Sequence, residues 1–360
     1  MLKNVLTLAL GASVLMAAGE SRAADPVKLV YATYLPKNFT FVEVDDWFMQ
    51  QVTERSGGRI TFETYYGASL LKALDVFPGL SQGAADLATG APGYNVDMLP
   101  LSSVIQPYMT DKADAAVRAF VDLYNAEPAL KQEWEGQNMK LLYALAATEN
   151  TLWSNKQVTK AEDLQGMRIR ATLGVAQSLE LLGATTVALG MQDGVDGLKR
   201  GVIDGFSSSP FDLGVQVGLN DVAKFANDAG TMGIYGIIAM AVNLQSWQRL
   251  SPEDQAVLQE VASEVPDKFI EVTNRAVSQA VDKLLASPTP VVQRTTPEEN
   301  ARWKGATAQK VWDKWVGSME ARGLDGRSVL DHYVALVKKY EPSSKYTPGF
   351  ELYVERKKAQ

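Results

Sequence analysis

The 360-residue sequence contains no cysteine and a single histidine, His332. Without cysteine the chain has no disulfide, no thiolate nucleophile, no cysteine-ligated metal and no lipidated cysteine behind a leader. His332 lies in a helical pattern near the C-terminus with no evident nucleophile beside it, so a packed or surface histidine is the simpler interpretation. A G-x-S-x-G elbow and a calcium loop are also missing, and no spacing singles out a catalytic pair of carboxylates. We therefore expect no metal, no cofactor and no enzymatic activity.

Basic residues and long apolar runs are also scarce. The 35 Lys and Arg are outnumbered by 42 Asp and Glu, which argues against nucleic acid and anionic membrane surfaces as partners. The apolar run 5–18 is too short to cross about 30 Å of hydrocarbon. With Lys3 before it and Ser21-Arg22-Ala23 after it, residues 1–23 are typical of a signal peptide. The sequence therefore predicts an exported protein without a membrane anchor.

The stretch 164–210 has the most regular pattern in the chain. It predicts strand 167–170, helix 177–182, strand 185–189, helix 193–199 and a further strand from 202. The strand at 185–189 is apolar and β-branched, so we expect it to be buried and parallel to its neighbours. A turn rich in hydroxyls and backbone N–H groups follows at Ser207–Pro210. Ligands bind at such strand ends in open α/β sheets, and this turn is the first candidate for a site.

A short motif occurs twice. Gly79–Asp86 matches Gly197–Asp204 as G-L-x-x-G-x-x-D, and each copy follows a helical run. We interpret the motif as a helix closed by a glycine cap and an aspartate turn into a strand, used once in each of two domains. Coincidence is the alternative, because the motif is short. A 46% hydrophobic composition over this length also supports two domains.

The remaining segments predict an α/β fold in which the chain crosses between domains. Alternating strands and helices over 27–89, with a helix predicted over 70–82, indicate an open, mostly parallel sheet. We expect 151–154 to cross to the second domain and 234–243 to return. Capping residues at Ser251 and Thr296 start long helices in the C-terminal third, which we expect to span both domains.

Two arginines stand at alternate positions of one predicted strand, Arg168 and Arg170. A guanidinium at a strand end can hold a carboxylate through two parallel N–H···O bonds. A structural ion pair or a solvated surface arginine is the alternative. Both side chains point the same way on an ideal strand, so the alternation cannot choose between them.

Several stretches carry a resemblance to a known family: the leader, GASLLKAL, GLSQGAADLATG and LQGMRIRAT…LGATTVAL…LKRGVIDG. Together they resemble the DctP-type substrate-binding proteins of tripartite ATP-independent periplasmic (TRAP) transporters, over nearly the whole chain after the leader. The resemblance implies a type II-like periplasmic-binding-protein fold whose hinged domains close over an organic acid. It also implies a periplasmic location and delivery to a membrane permease driven by an ion gradient. The expected division is 27–147 plus 236–300 for domain I and 148–235 plus 301–360 for domain II.

The resemblance also assigns site residues. In the family the last arginine of the GxxxR strand grips the ligand carboxylate, and that position is Arg170. Ser209 stands where sialic-acid binders often have asparagine, and Asn150 falls near their second arginine. Lys72 falls near an acidic position of those binders, and Met191 near an aromatic one. These departures argue against a sialic-acid ligand.

An apolar pocket is the expected replacement, with ordinary core packing as the alternative for each of its residues. It would be formed by Trp153, Met191, Phe211 and Tyr235, and Tyr34 and Thr89 complete the candidate set. We therefore expect a monocarboxylate with an apolar or aromatic body, although an inward Lys72 would favour a second carboxylate. The competing functions are the binding protein of an ATP-driven importer or sensor, and an exported hydrolase or lyase.

Overall fold

The computed structural model describes residues 26–360, so the predicted signal peptide lies outside the described residues. The strands are β1 Val27–Thr33, β2 Ile60–Tyr65, β3 Leu87–Gly90, β4 Met139–Ala146, β5 Leu152–Ser154, β6 Arg168–Arg170, β7 Thr185–Val187, β8 Gly205–Phe206, β9 Phe225–Asn227, β10 Ile237–Asn243 and β11 Val291–Gln293. The helices are α1 Thr40–Arg55, α2 Val76–Ser81, α3 Ala113–Ala126, α4 Pro128–Glu135, α5 Leu173–Leu181, α6 Met191–Lys199, α7 Phe211–Gln216, α8 Leu219–Val222, α9 Leu244–Arg249, α10 Pro252–Leu285, α11 Pro297–Glu320, α12 Gly326–Tyr340 and α13 Gly349–Ala359.

The strands form two sheets, and we call each sheet with its flanking helices a lobe. The first lobe has the order β2-β1-β3-β10-β4, and the second has β11-β9-β5-β8-β6-β7. In the first sheet β1 is parallel to β2 and β3, whereas β10 is antiparallel to both neighbours. In the second sheet β6 is parallel to β7 and β8, whereas β5 is antiparallel to both neighbours. The predicted two-domain α/β fold is confirmed.

The chain crosses between the lobes several times. The chain leaves the first sheet after β4 and enters the second at β5, then returns from β9 to β10, as the sequence predicts. Helix α10 makes a third connection, because it follows the first lobe's β10 and α9 and precedes the second lobe's β11. It packs against α1 of the first lobe and α7 of the second. The long helix that spans both lobes is therefore confirmed.

The predicted helix caps form. The Ser251 hydroxyl accepts the backbone N–H of Asp254 at 3.1 Å, and the Thr296 hydroxyl accepts that of Glu299 at 3.3 Å. Each bond satisfies a donor that the first turn of a helix leaves without an intrahelical partner. Within residues 26–360, none of the helices combines the length and the apolar content that crossing a membrane requires.

Four local features differ from the expectations. Residues 70–75 are not helical, because Gly67 and Ala68 bond back to the carbonyls of Leu35 and Thr33 and start a loop. Strand β7 is partly exposed, because it is the edge strand and pairs only with β6. Strand β11 pairs with β9 in the second sheet, and α12 packs against α3 of the first lobe. These two elements therefore lie in the opposite lobe from the expected division at residue 300.

Candidate ligand-binding site

In each lobe the repeated motif ties the strand that follows it to a parallel neighbour. Gly83 and Gly201 close α2 and α6 with φ of +80° and +70°, a conformation that glycine adopts without strain. The aspartate that follows then ties its strand to a parallel neighbour. Asp86 Oδ2 accepts the N–H of Val30 at 2.8 Å, and Asp204 Oδ2 accepts that of Arg168 at 2.9 Å. The interpretation of the motif as one device used in both lobes is confirmed.

Arg170 occupies the carboxyl end of β6. Arg168 is exposed, whereas the Arg170 side chain turns inward and the residue is only 2% exposed. It is covered by the Phe206 ring, whose centroid lies 4.6 Å from the guanidinium carbon, and by α6 at Gly194. A Cβ at 194 would lie 2.4 Å from the Phe206 ring, so only glycine lets α6 approach this closely. The surroundings thus separate two arginines that the alternation could not distinguish.

Among residues 26–360, the buried guanidinium is bonded to backbone carbonyls alone. Arg170 Nε donates to Leu189 O at 2.9 Å, and Nη1 donates to the carbonyls of Ser207 and Ser208, both at 3.1 Å. None of the 23 salt bridges among residues 26–360 involves Arg170. Taking a charge out of water is costly unless an opposite charge lies beside it. The site therefore suits an anion.

The hydrogen bonds also determine where an anion can bind. Arginine has five N–H donors, and Nε together with both Nη1 donors is used by the three carbonyls. Nη2 makes no hydrogen bond to any described residue. We expected a ligand carboxylate to accept from two guanidinium nitrogens, either Nε with Nη2 or Nη1 with Nη2. In this structure Nε and Nη1 already donate to carbonyls, so each pair has one nitrogen occupied. Nη2 is thus the nitrogen left for a ligand.

Three half-buried tyrosines accompany Arg170. Burial raises the pKa of Tyr34 and of Tyr235, and the nearby Arg170 charge lowers each pKa in part. Tyr94 packs edge-to-face on Tyr34, with ring centroids 5.8 Å apart and an interplanar angle of 81°. No described residue hydrogen-bonds to any of the three hydroxyls. Sequence reasoning missed Tyr94, although its position in a turn directly after β3 is a signal that the strand-end rule could have used.

Asn150 and Ser209 are buried supports of the serine turn. The Asn150 side chain bonds to the Ser207 hydroxyl at 3.0 Å, and its Oδ1 accepts the N–H of Ser209 at 3.4 Å. The Ser209 hydroxyl is oriented toward the carbonyl of Pro210 at 3.3 Å. These bonds fix the turn whose carbonyls hold Arg170. Both residues are placed to position the arginine, with their polar atoms already engaged.

Trp153 and Phe211 are fully buried in the main core. The Trp153 indole covers Gly214, where an added Cβ would lie 2.5 Å from its Nε1. Phe211 packs edge-to-face on Phe350 of α13, with ring centroids 5.1 Å apart. For these two residues the structure favours the alternative of ordinary packing.

The other candidates differ in exposure. Met191 starts α6, is partly buried and is separated by one residue from Leu189, which accepts the Arg170 Nε–H. Thr89 is fully buried in the first sheet, and its carbonyl accepts the Thr33 hydroxyl at 2.9 Å. Lys72 is exposed in the loop before α2, so the structure turns it outward.

The lobes meet through polar and apolar contacts. The Thr40 hydroxyl at the start of α1 donates to Asp212 Oδ2 of α7 at 2.8 Å, and Gln216 Nε2 donates to Thr40 Oγ1 at 2.6 Å. An added Cβ at Gly93 of the first lobe would lie 2.6 Å from the Leu173 side chain, which begins α5 of the second. The structure thus shows the two lobes in direct contact.

His332 lies outside the region around Arg170. His332 Nδ1 is 2.5 Å from a Glu127 carboxylate oxygen, where α12 packs on the end of α3, in keeping with the packing interpretation. Among residues 26–360 no group of three or more metal-binding side chains occurs.

Two α/β lobes joined by crossing strands, with a buried cation at a strand end of one lobe, define a two-lobed solute-binding protein. The family model of bacterial extracellular solute-binding proteins, family 7, matches residues 31–318. The chain belongs to this DctP family, whose members are substrate-binding proteins of TRAP transporters.

Individual relatives agree. The ectoine-binding periplasmic protein TeaA of Halomonas elongata is 23% identical, over 79% of this chain and 83% of its own length. A TRAP solute-binding protein of Rhodoferax ferrireducens, solved with copurified benzoate, is 24% identical with a TM-score of 0.79, covering 88% of this chain and 99% of that one. A marine metagenome TRAP protein specific for aromatic acids, solved with 3-hydroxybenzoate, is 21% identical with a TM-score of 0.78, covering 88% and 100%.

Proposed function

We propose that this protein is the exported periplasmic component of a TRAP transporter that captures a monocarboxylate with an apolar or aromatic body. The observation that carries the proposal is the Arg170 guanidinium, which is 2% exposed and pairs with no described carboxylate. A ligand carboxylate supplies the missing counter-charge. The partly buried rings of Tyr34, Tyr94 and Tyr235 supply surface for an apolar body. Two relatives of this fold that carry benzoate and 3-hydroxybenzoate support the same ligand class.

The mechanism is binding rather than catalysis. A ligand held between the lobes contacts both of them only in the closed arrangement, so its differential affinity shifts the population toward that arrangement. The Thr40–Asp212 bond joins the two lobes in this structure, and we expect it to favour the closed arrangement. The closed, loaded protein is then the form presented to the membrane permease.

A thermal-shift screen against organic acids tests the proposal. A ligand bound only by the folded state stabilises it by RT ln(1 + [L]/Kd), about 2.7 kcal/mol at a hundredfold excess over Kd. We expect a rise in Tm with benzoate or related monocarboxylates that disappears in Arg170→Ala. Arg168→Ala is the matched control, because that side chain is exposed on the same strand. A response only to sugars, amines or metals, or an acid response unchanged in Arg170→Ala, would contradict the proposal, as would chemical turnover of a bound acid.

A further inference from the structure

The hydrogen bonds of Arg170 leave a ligand carboxylate only partly satisfied. Nε and Nη1 donate to carbonyls, and Nη2 has no hydrogen-bond partner among the described residues. A carboxylate has two oxygens with about four acceptor positions, and one guanidinium nitrogen cannot satisfy both oxygens in fork geometry. A buried carboxylate therefore needs at least one further donor close to Arg170.

Most polar groups near the arginine are already engaged. The Ser207 hydroxyl bonds to Asn150, the Ser208 hydroxyl bonds to Thr172, and the Ser209 hydroxyl is oriented toward Pro210 O. Lys72 is exposed on the loop before α2. The tyrosine hydroxyls differ, because none of them bonds to a described residue.

Two of these hydroxyls lie within the electrostatic reach of the guanidinium. The Arg170 charge lowers the otherwise raised pKa of both Tyr34 and Tyr235. Contacts place Tyr235 in the same region, because the carbonyl of nearby Gly233 accepts the Asn150 N–H at 2.9 Å and Asn150 bonds to Ser207 of the turn around Arg170. Tyr34 packs on Tyr94, whose neighbour Gly93 contacts Leu173 at the start of α5. Since burial keeps both pKa values well above the ordinary value for tyrosine, both phenols stay protonated and able to donate at neutral pH. Tyr94 instead contributes its ring, which fixes Tyr34 through the edge-to-face contact.

We propose that the hydroxyls of Tyr34 and Tyr235 donate to the same ligand carboxylate that Arg170 binds. This rests on the proposed function and deepens it. Tyr34 follows β1 in the first lobe, Arg170 ends β6 in the second, and Tyr235 lies on the segment that returns between them. The carboxylate itself is then the bridge between the lobes. Donors from three segments also select a carboxylate over an amide, because an amide nitrogen cannot accept a hydrogen bond.

The test uses conservative variants that remove one oxygen and keep the ring. Benzoate binding is measured by calorimetry for the wild type, Tyr34→Phe and Tyr235→Phe, with 3-hydroxybenzoate and pyruvate as further probes. Each variant loses a hydrogen bond to a charged group, so we expect Kd to rise about tenfold. Tyr65→Phe is the control, because its hydroxyl bonds to Glu63 at 2.6 Å at the end of β2. We expect Tyr65→Phe and Tyr94→Phe to stay within about twofold of the wild type, since neither hydroxyl is used for the ligand.

The outcomes separate this inference from the proposed function. Loss of binding in Arg170→Ala together with wild-type affinity in Tyr34→Phe and Tyr235→Phe would overturn the hydroxyl donors and leave the carboxylate site standing. Unchanged binding in Arg170→Ala, or no binding of any of the three acids by the wild type, would overturn both. Melting temperatures without ligand exclude misfolding as the cause of a lost affinity.

Discussion

The two lobes share one local scaffold, but the only basic side chain buried among residues 26–360, Arg170, lies in the second lobe. In both copies of the motif an aspartate clamps the parallel neighbour strand, a basic side chain pairs with that aspartate, and an asparagine amide holds the helix end. The sets are Asp86, Arg249 and Asn243 in the first lobe and Asp204, Lys156 and Asn155 in the second. Because the clamped residues are Val30 and Arg168, Ala32 of the first lobe corresponds to Arg170 of the second. The scaffold is duplicated and the buried cation is not.

The buried side chains of Asp45 and Arg170 differ in how each can lose or balance its charge. Asp45 is fully buried in the first lobe and accepts the hydroxyls of Tyr31 at 2.6 Å and Tyr143 at 2.7 Å, without an ion pair among the described residues. Asp45 can relieve its burial by taking up a proton. Arg170 cannot lose its proton at any physiological pH. Of the two, only the arginine needs a counter-charge from outside the described residues, which is why we propose it as the residue that binds the ligand carboxylate.

The largest expected effect comes from removing the cation while keeping its volume. In Arg170→Met we expect the affinity for the ligand carboxylate to fall by about 2–5 kcal/mol, because a buried anion loses its charged partner. The free energy of unfolding without ligand should fall by no more than about 1 kcal/mol, since an uncompensated buried charge is also lost. Calorimetry and urea unfolding measure the two quantities. A large loss of unliganded stability with little loss of affinity would make the arginine a structural residue.

The second prediction concerns the pH response of Asp45. Burial raises its pKa to about 6, whereas an exposed aspartate titrates near 4. Between about pH 4 and pH 6 the folded state keeps a proton that the unfolded chain releases, so the stability contributed by this group decreases as pH rises. Urea unfolding at several pH values should show Asp45→Asn gaining about 2–3 kcal/mol relative to the wild type from pH 4 to pH 6.

Arg170→Met is the comparison variant for this pH series, because arginine does not titrate in that range. Its stability difference from the wild type should be the same at pH 4 and pH 6. A constant difference for Asp45→Asn as well would show that the carboxylate does not titrate as its burial implies.

The third prediction uses the duplicated clamp. Asp86→Ala and Asp204→Ala each remove an acceptor from a strand N–H, so each should destabilise the fold by about 1–3 kcal/mol. Only Asp204→Ala should also weaken ligand binding, because Asp204 holds the strand that ends in Arg170. Chemical unfolding gives the first quantity and calorimetry the second. Equal losses of affinity in both variants would show that the lobes do not divide their roles in this way.

The smallest expected effect is at the contact between the lobes. Thr40→Val removes the hydroxyl that donates to Asp212 and accepts from Gln216. We expect ligand affinity to fall by about 1 kcal/mol, because the closed arrangement loses these bonds. Thr53→Val on the same helix is the control, since no hydrogen bond of its hydroxyl exists among the described residues. An affinity in Thr40→Val equal to that of the control would remove this contact from the closure mechanism.

Patterns with a local physical cause predicted most of the fold. Ser251 and Thr296 predict where their helices begin, because capping depends on only a few adjacent residues. The lobe of β11 was not predictable in the same way, because three partly exposed residues carry almost no signal. The amphipathic pattern of α12 likewise indicates that one face is buried without naming the element that covers it.

The candidate site shows the same contrast between features that a motif predicts and features that depend on tertiary contacts. Arg170 was assigned through the family resemblance, whereas its carbonyl partners depend on contacts with Leu189 and the serine turn. The departures from the sialic-acid binders led us to expect Trp153 and Phe211 in an apolar pocket, with ordinary core packing as the alternative. The structure covers them with Gly214 and Phe350, which only the assembled tertiary structure brings into contact.

A crystal structure of the protein with benzoate would show whether Arg170 holds the ligand carboxylate. We predict a carboxylate oxygen within hydrogen-bonding distance of Arg170 Nη2, with the benzene ring against the tyrosines between the two lobes. Benzoate bound elsewhere, or a different anion already paired with Arg170 while benzoate leaves it untouched, would contradict the assignment of this arginine as the carboxylate-binding residue.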